Sequence, residues 1–493
     1  MKMNSRTTTV LCCLLVLIAS YFTYFKDYHE PPNAFYDEIY HIVGAEKYIN
    51  RVMYFEVHPP VGKLFIALGE ALFNTNKNLN LKEAFERGYI DSDLPENFSF
   101  IGVRFFPVLF GCLNALLFFI IFYLISKNNL ISLLFSSLYL FENSSIVHFR
   151  AAMLDSTLVF FVLLSLICFI CLYDKKKKIS SLNYFLLGVL TSFAIFTKIV
   201  GLVLVLLFFF LQIKELNKYK VRYSLVNLKR LLKDGLSYSV GLITVFILVY
   251  YLHVTMGANT VGTYTGKASA RYLEMIKTKE IFNPLKLYIP IRDNLIDMKK
   301  GHSSIEKLDV CKLNEVGSHP IGWPLGIRNI NYLKTTGIDG GRTAYLTFQG
   351  NPVNWFMAIF SVFICICLVV SRTMFNTEIT DKRTYNLIRS FTLLYVAYMV
   401  GIVWGGMHRV LYIHIYLLPL FLSFILSFLL FYYLFKKYLI KKDKIIYLAV
   451  ILLVIQIVYF YTRAYAITYF QPITYSECSK TRLIDFWKDT CVK

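Results

Sequence analysis

Two landmarks within residues 35–73 carry side chains able to do chemistry: the acidic pair Asp37-Glu38 and the run His58-Pro59-Pro60-Val61-Gly62-Lys63. They follow one apolar stretch directly and precede the next by a wide margin, which places them at a membrane surface rather than in a soluble core. A carboxylate there can take the proton of an attacking hydroxyl. A lysine and the N–H groups of a helix start can hold an anion. An amphipathic surface loop with incidental charges would account for the same residues.

The elements that must position these groups are legible nearby. Ala45 to Ile49 reads as helix, and a helix reaching back to Asp37 puts Asp37 and His41 on one face at i, i+4 spacing. Glu38 then falls on the neighbouring face with Ile42 and Ala45. Pro59 and Pro60 are excluded from a helix interior but suit its first turn, so a second short helix is expected over Val61 to Phe73.

The rest of the chain is a membrane protein by composition. Over 493 residues it is 56% hydrophobic and 17% aromatic, which excludes an ordinary soluble enzyme. The net charge of +21 gathers in short segments between apolar spans, the pattern of the positive-inside rule, and no nucleic-acid partner is expected. Of the ten cysteines, Cys12, Cys13, Cys112, Cys168, Cys171, Cys365 and Cys367 lie in apolar spans. Cys168 and Cys171 have C-x-x-C spacing without polar context and read as packing residues. Cys478 and Cys491 sit in a polar tail, where an oxidising compartment would allow a disulfide.

A span needs about 20 apolar residues, and the chain offers about eleven candidates: Val10–Phe25, Ile101–Ser126, Leu130–Val147, Met153–Tyr173, Asn183–Thr197, Ile199–Ile213, Leu236–Leu252, Trp355–Ser371, Phe391–Trp404, Val410–Phe435 and Ile445–Tyr461. The first reads as an uncleaved anchor, because no clear small-residue cleavage site follows it. The expectation is an all-α polytopic membrane protein forming one integral domain, 1–493. It has a first large outer loop at 26–100, a second at 257–352 and an outer tail at 463–493.

Orientation follows from charge. A cytoplasmic N-terminus puts Lys175 to Lys178, the linker Lys214 to Asp234 (with Lys218, Lys220, Arg222, Lys229, Arg230 and Lys233), the Arg372 to Arg389 loop and Lys436 to Lys444 inside. Both long polar segments, Lys198, the Gly405 to Arg409 turn and the tail then face outward.

Ionisable residues collect at the outer span ends: Arg104, Glu142, His148, Arg150, Asp155, Lys198, His408 and Arg409. One arginine at a span end commonly snorkels to the headgroups. Several cations on one leaflet, beside two outer segments, suggest a site for an anionic headgroup, with arginine able to hold phosphate in a fork. The nine histidines form no H-x-x-x-H or H-E-x-x-H pair, so metal-independent chemistry is expected.

An ordered set of motifs resembles the protein O-mannosyltransferases, GT-C membrane glycosyltransferases: Phe35-Tyr36-Asp37-Glu38-Ile39-Tyr40-His41; Tyr54-Phe55-Glu56-Val57-His58-Pro59-Pro60-Val61-Gly62-Lys63; Arg104-Phe105-Phe106-Pro107-Val108-Leu109-Phe110-Gly111; Arg150-Ala151-Ala152-Met153-Leu154-Asp155-Ser156; Thr197-Lys198; Ser318-His319-Pro320-Ile321-Gly322-Trp323-Pro324-Leu325; Gly350-Asn351-Pro352-Val353; and Arg409-Val410-Leu411-Tyr412 with Pro419. The resemblance covers nearly the whole chain, in the family's order.

It implies a GT-C fold and transfer of mannose, with inversion, from a polyprenyl-phosphate carrier to Ser or Thr hydroxyls of exported proteins. The active site would lie on the extracytoplasmic face of the cell membrane. The lipid-linked sugar is the donor, and no separate cofactor is implied. The family's base role maps to Asp37. The phosphate leaves as its charge grows, which cations stabilise; Lys63, Arg104, Arg150, Lys198 and Arg409 are the candidates. Glu38 is expected to orient acceptor or sugar, or to form a structural salt bridge. Asp155 would hold Arg150 or make a simple surface pair, and His58 would cap the helix at Pro59 or contact the headgroup. His319, Trp323 and Pro324 would shape the outer loop.

The second outer loop is too short for the β-trefoil domain of eukaryotic members, which places the chain nearer the bacterial ones. Related enzymes that transfer aminoarabinose to lipid A share the fold class, so a lipid or surface glycan is an alternative acceptor. A lipid-linked sugar flippase is a third reading, but it would need charges near the bilayer midplane, and here they gather at the outer boundary.

Overall fold

The computed structural model describes the chain except residues 1–4, 82–84, 86–93, 219–224, 262–266, 313–314, 339–340, 483, 485–486, 488–490 and 492–493. The chain divides into two compact units. One comprises Met1–Lys26, Cys112–His148 and Glu306–Lys493; the other comprises Asp27–Gly111 and Phe149–Ile305. The boundary falls inside the helix Phe100–Ser126 and again between Ile305 and Glu306, within the second outer loop.

The candidate spans become helices in register with the sequence reading. Among the described residues nine helices are long and apolar enough to cross a membrane, and Asn129–Leu140 with Asn143–Phe149, bent by 65°, makes a tenth if the pair counts as one span. Ser181–Thr197 is apolar but has only 17 residues, about 25 Å of helix against a hydrocarbon core of about 30 Å. These account for each expected span, and the chain is a multi-pass membrane protein.

One boundary moves substantially. The helix begun by the basic linker runs continuously from Leu225 to Met256, so Lys229, Arg230 and Lys233 belong to it and not to a loop. Arg230 pairs there with Glu215 (2.5 Å) and Asp234 (3.6 Å). Lys220 and Arg222 lie outside the described residues.

In the unit containing the first outer loop, the helices Ser181–Thr197 and Leu225–Met256 make the closest pair. A side chain on Gly188 would strike the Tyr238 carbonyl, and one on Gly241 the Phe185 carbonyl. Small residues on both partners thus let the two backbones approach closely, as membrane helices do where no hydrophobic drive is available. Ser192 Oγ donates to the Leu242 carbonyl across the same contact (2.8 Å).

The helices Glu38–Ile49 and Val61–Phe73 pack on each other in this unit. Ile42, Ala45, Tyr48, Tyr54, Ile66 and Ala67 form an apolar core with Phe98, Phe100, Val103 and Leu154.

The other unit holds an element the sequence did not announce. Three strands, β1 (Ile330–Ile338), β2 (Arg342–Phe348) and β3 (Pro472–Ile473), form an antiparallel sheet in the order β1-β2-β3. Ile330 faces Phe348, and Thr343 faces Ile473. The C-terminal segment therefore completes a sheet begun in the polar segment before Pro352, and Cys478 is bonded to Cys491 beside it.

The bend at Glu142 is held by polar contacts. Its carboxylate accepts from Ser144 Oγ (2.7 Å), the Asn351 N–H (3.1 Å), Asn354 Nδ2 (3.0 Å) and Trp355 Nε1 (3.1 Å). A broken helix needs such partners, because its freed groups are otherwise unsatisfied. Trp323 is fully buried in the turn Pro320–Leu325, and Nε1 donates to Ser318 Oγ (2.8 Å). His319 caps that turn.

Candidate active site

The site grows from the start of the helix Glu38–Ile49. Glu38 is fully buried, and its two carboxylate oxygens receive Arg104 Nε (2.7 Å) and Nη2 (2.8 Å). They also accept the Ala152 N–H (2.7 Å) and the Phe35 N–H (3.4 Å). The remaining Arg104 N–H groups go to the carbonyls of His29 (2.8 Å), Pro31 (2.8 Å) and Asn33 (2.9 Å).

Every donor of that guanidinium is therefore used within the protein, and the cation lies over the Phe100 ring, 4.1 Å from its centre. Arg104 has no N–H left for a phosphate, and Glu38 is too enclosed to orient a sugar or acceptor. Glu38 forms the structural salt bridge that was one of its two expected roles, and the pair ties the loop 29–35 and the start of the next membrane helix to the head of the Glu38–Ile49 helix.

Asp37 differs from its neighbour. It is only half-buried, sits at the N-cap of the same helix and makes no side-chain cap bond. The helix N-terminus favours its charged form, and its charge reaches Lys63, whose protonated form it supports. Of the two acids, the less buried one is the residue expected to act as base.

His58 and Lys63 are brought in by the turn before the second helix. Pro60 takes the N-cap of Val61–Phe73, and Lys63, one turn in, is fully buried and ion-paired with Glu56. Glu56 also accepts the N–H groups of Val57 (2.9 Å) and His58 (3.3 Å). Gly44 is what admits the lysine: a β-carbon there would lie 2.9 Å from Lys63 Cδ and 3.2 Å from Nζ. Burial holds Lys63 below the ordinary lysine value even though Glu56 and Asp37 oppose the shift. Sequence reasoning passed over Glu56 as a site residue. The signal was its place just before the His-Pro-Pro turn, which folds residues 56 and 63 back together.

Lys198 follows the end of the Ser181–Thr197 helix in extended conformation, and its Nζ donates to both oxygens of Asp155 (2.7 and 2.9 Å). Asp155 thus pairs with Lys198. Arg150 is buried, with Nη2 donating to the Asp27 carbonyl (2.6 Å). Arg409 belongs to the other compact unit. There its backbone N–H bonds the Gly405 carbonyl (3.1 Å), and burial lowers its guanidinium pKa.

Three imidazoles stand among these charges. His41 and His58 lie 6.1 Å apart between ring centres, as do His58 and His302. Burial first, then the cations Lys63 and Lys198 and a neighbouring histidine, hold His41 and His58 well below the usual histidine range; Asp155 opposes this weakly. They are neutral at physiological pH. His41 and His302 were not among the candidate site residues, and His302, far along the chain at the end of the helix Tyr288–Ser303, offered no local signal.

The cluster therefore presents a half-buried carboxylate, two lysines each paired with an acid, and a row of three imidazoles. Chemically it can accept a proton from a hydroxyl at Asp37 while the lysines offset charge on a nearby anion.

The chain is similar to known proteins over most of its length. Residues 13–261 match the family described as dolichyl-phosphate-mannose-protein mannosyltransferase, and residues 294–487 match the C-terminal four-transmembrane region of protein O-mannosyltransferase. Protein O-mannosyl-transferase 2 of Danio rerio is 29% identical over 203 residues, 40% of this chain and 26% of that protein. Dolichyl-phosphate-mannose–protein mannosyltransferase 4 of Schizosaccharomyces pombe is 27% identical over 195 residues, 39% of this chain and 24% of that protein. The matched stretches thus span about a quarter of these relatives. In fold, the chain is similar to a chain of the S. cerevisiae Pmt1-Pmt2 complex bound to the sugar donor, with a TM-score of 0.77 and 14% identity, over 100% of this chain and 94% of that one. With half of its length accounted for by the first of these matches alone, the chain belongs to the dolichyl-phosphate-mannose-protein mannosyltransferase family.

Proposed function

We propose that this protein transfers mannose, with inversion, from a polyprenyl-phosphate carrier to Ser or Thr hydroxyls of exported proteins. The observation that carries the reading is the family match over residues 13–261, a stretch that contains Asp37, Glu56, His58, Lys63, Asp155 and Lys198. Asp37 takes the hydroxyl proton as oxygen attacks the anomeric carbon. The bond to phosphate breaks on the opposite face, and Lys198, with Lys63 behind it, stabilises the departing charge. Glu38 and Arg104 hold the frame that fixes Asp37.

The basic loops support a cytoplasmic N-terminus and a position for this cluster on the outer side of the cell membrane. Purified membranes incubated with radiolabelled mannosyl-phosphoryl-polyprenol and a Ser/Thr-rich peptide test the reading. Label in the peptide supports it; label in lipid alone moves the acceptor to a lipid or surface glycan. No metal has a role in these steps, so a chelator should leave the rate of the purified protein unchanged.

A further inference from the structure

The imidazole row has a feature the proposed mechanism leaves unused. His41 is 5% exposed, yet its Nδ1 has no hydrogen-bond partner. An orphaned buried nitrogen costs about 1–3 kcal/mol, and native structures seldom keep one without a reason. Its surroundings are rich in other groups: His58 with a ring tilted 54° to it, then His302 at 63° to His58, with Lys63, Lys198 and Asp155 close enough to act on the ring.

We propose that His41 Nδ1 is a sugar-recognising atom, completed by a hydroxyl of the transferred sugar, with His58 and His302 extending the same imidazole wall. This rests on the mannosyl-transfer reading above. A neutral imidazole offers one donor and one acceptor, the complement of a hydroxyl. A phosphate oxygen, which only accepts, is matched instead by the lysines. The two parts of the donor are thereby sorted by charge: phosphate toward Lys198 and Lys63, uncharged hydroxyls toward the imidazoles.

The test compares wild type, His41→Phe and His41→Asn, using mannosyl-phosphoryl-polyprenol and its four monodeoxy-mannosyl analogues as donors. Phe keeps a ring without nitrogen, and Asn restores a polar atom near the Nδ1 position. His41→Phe should lose about 3- to 10-fold in kcat/KM with the full donor, the size of one neutral hydrogen bond. Against one particular deoxy donor, wild type should already show that loss and His41→Phe should add nothing to it. His41→Asn should recover part of the rate. The Phe variant should also melt no lower than wild type, because it removes an unpaired group. Equal losses with all donors, no loss with the full donor, or a fall in melting temperature that tracks the loss of activity would overturn the assignment. A wild-type protein that transfers nothing from the full donor would instead refute the mannosyl-transfer reading.

Discussion

Arg104 and Glu38 meet edge to edge, Nε to Oε1 at 2.7 Å and Nη2 to Oε2 at 2.8 Å, with neither side chain exposed. The adjacent Asp37 is half-buried. A buried pair of this kind adds little net stability over apolar residues, but removing one member strands a charge.

Arg104→Ala or Glu38→Ala should therefore cost about 3–5 kcal/mol. Replacing both together, Glu38→Leu with Arg104→Met, should cost less than either single change. Thermal unfolding in detergent reads this, and a double variant less stable than both singles would contradict it.

Asp37→Asn should lower transfer by about 10²- to 10⁴-fold, the usual contribution of a general base, while insertion and donor binding stay intact. Turnover close to wild type would remove Asp37 from the base role.

Lys198→Ala should reduce kcat by about 10²-fold or more, as expected for loss of a group that stabilises developing charge, and Lys198→Arg should retain part of it. Asp155→Asn should act in the same direction but less, since it leaves the cation in place and only loosens it. An Asp155→Asn defect larger than that of Lys198→Ala would show that the carboxylate acts directly.

Glu46 gives a pH signature. It is buried, and desolvation, with Glu70 nearby, pushes its carboxyl up to about 8, whereas in the unfolded chain it ionises near the ordinary glutamate value of about 4.3. Between those values the folded state binds the extra proton, so stability from this group falls as pH rises through the window. Glu46→Gln should thus raise the melting temperature more at pH 8 than at pH 5. An equal gain at both would mean that Glu46 titrates normally.

The sequence by itself determined the local and the periodic. Runs of apolar residues long enough to cross a bilayer had to become helices, since lipid offers backbone groups no other partner. The prolines at 59 and 60 fixed where the Val61–Phe73 helix begins, because their φ suits a first turn. Glu38, Ile42 and Ala45 could be placed on one buried face from spacing alone. What tertiary structure decided was which charge answers which. Arg104 lies 66 residues from Glu38, and Lys198 lies 43 from Asp155. Spacing along the chain says nothing about such pairs, which form only when separate helices bring their ends together. The sheet joining Thr343 to Ile473 depends on the same kind of encounter. Whether an ionisable residue acts or merely braces depends on what is left of its hydrogen-bonding capacity once folding is complete, and that is a property of the folded molecule.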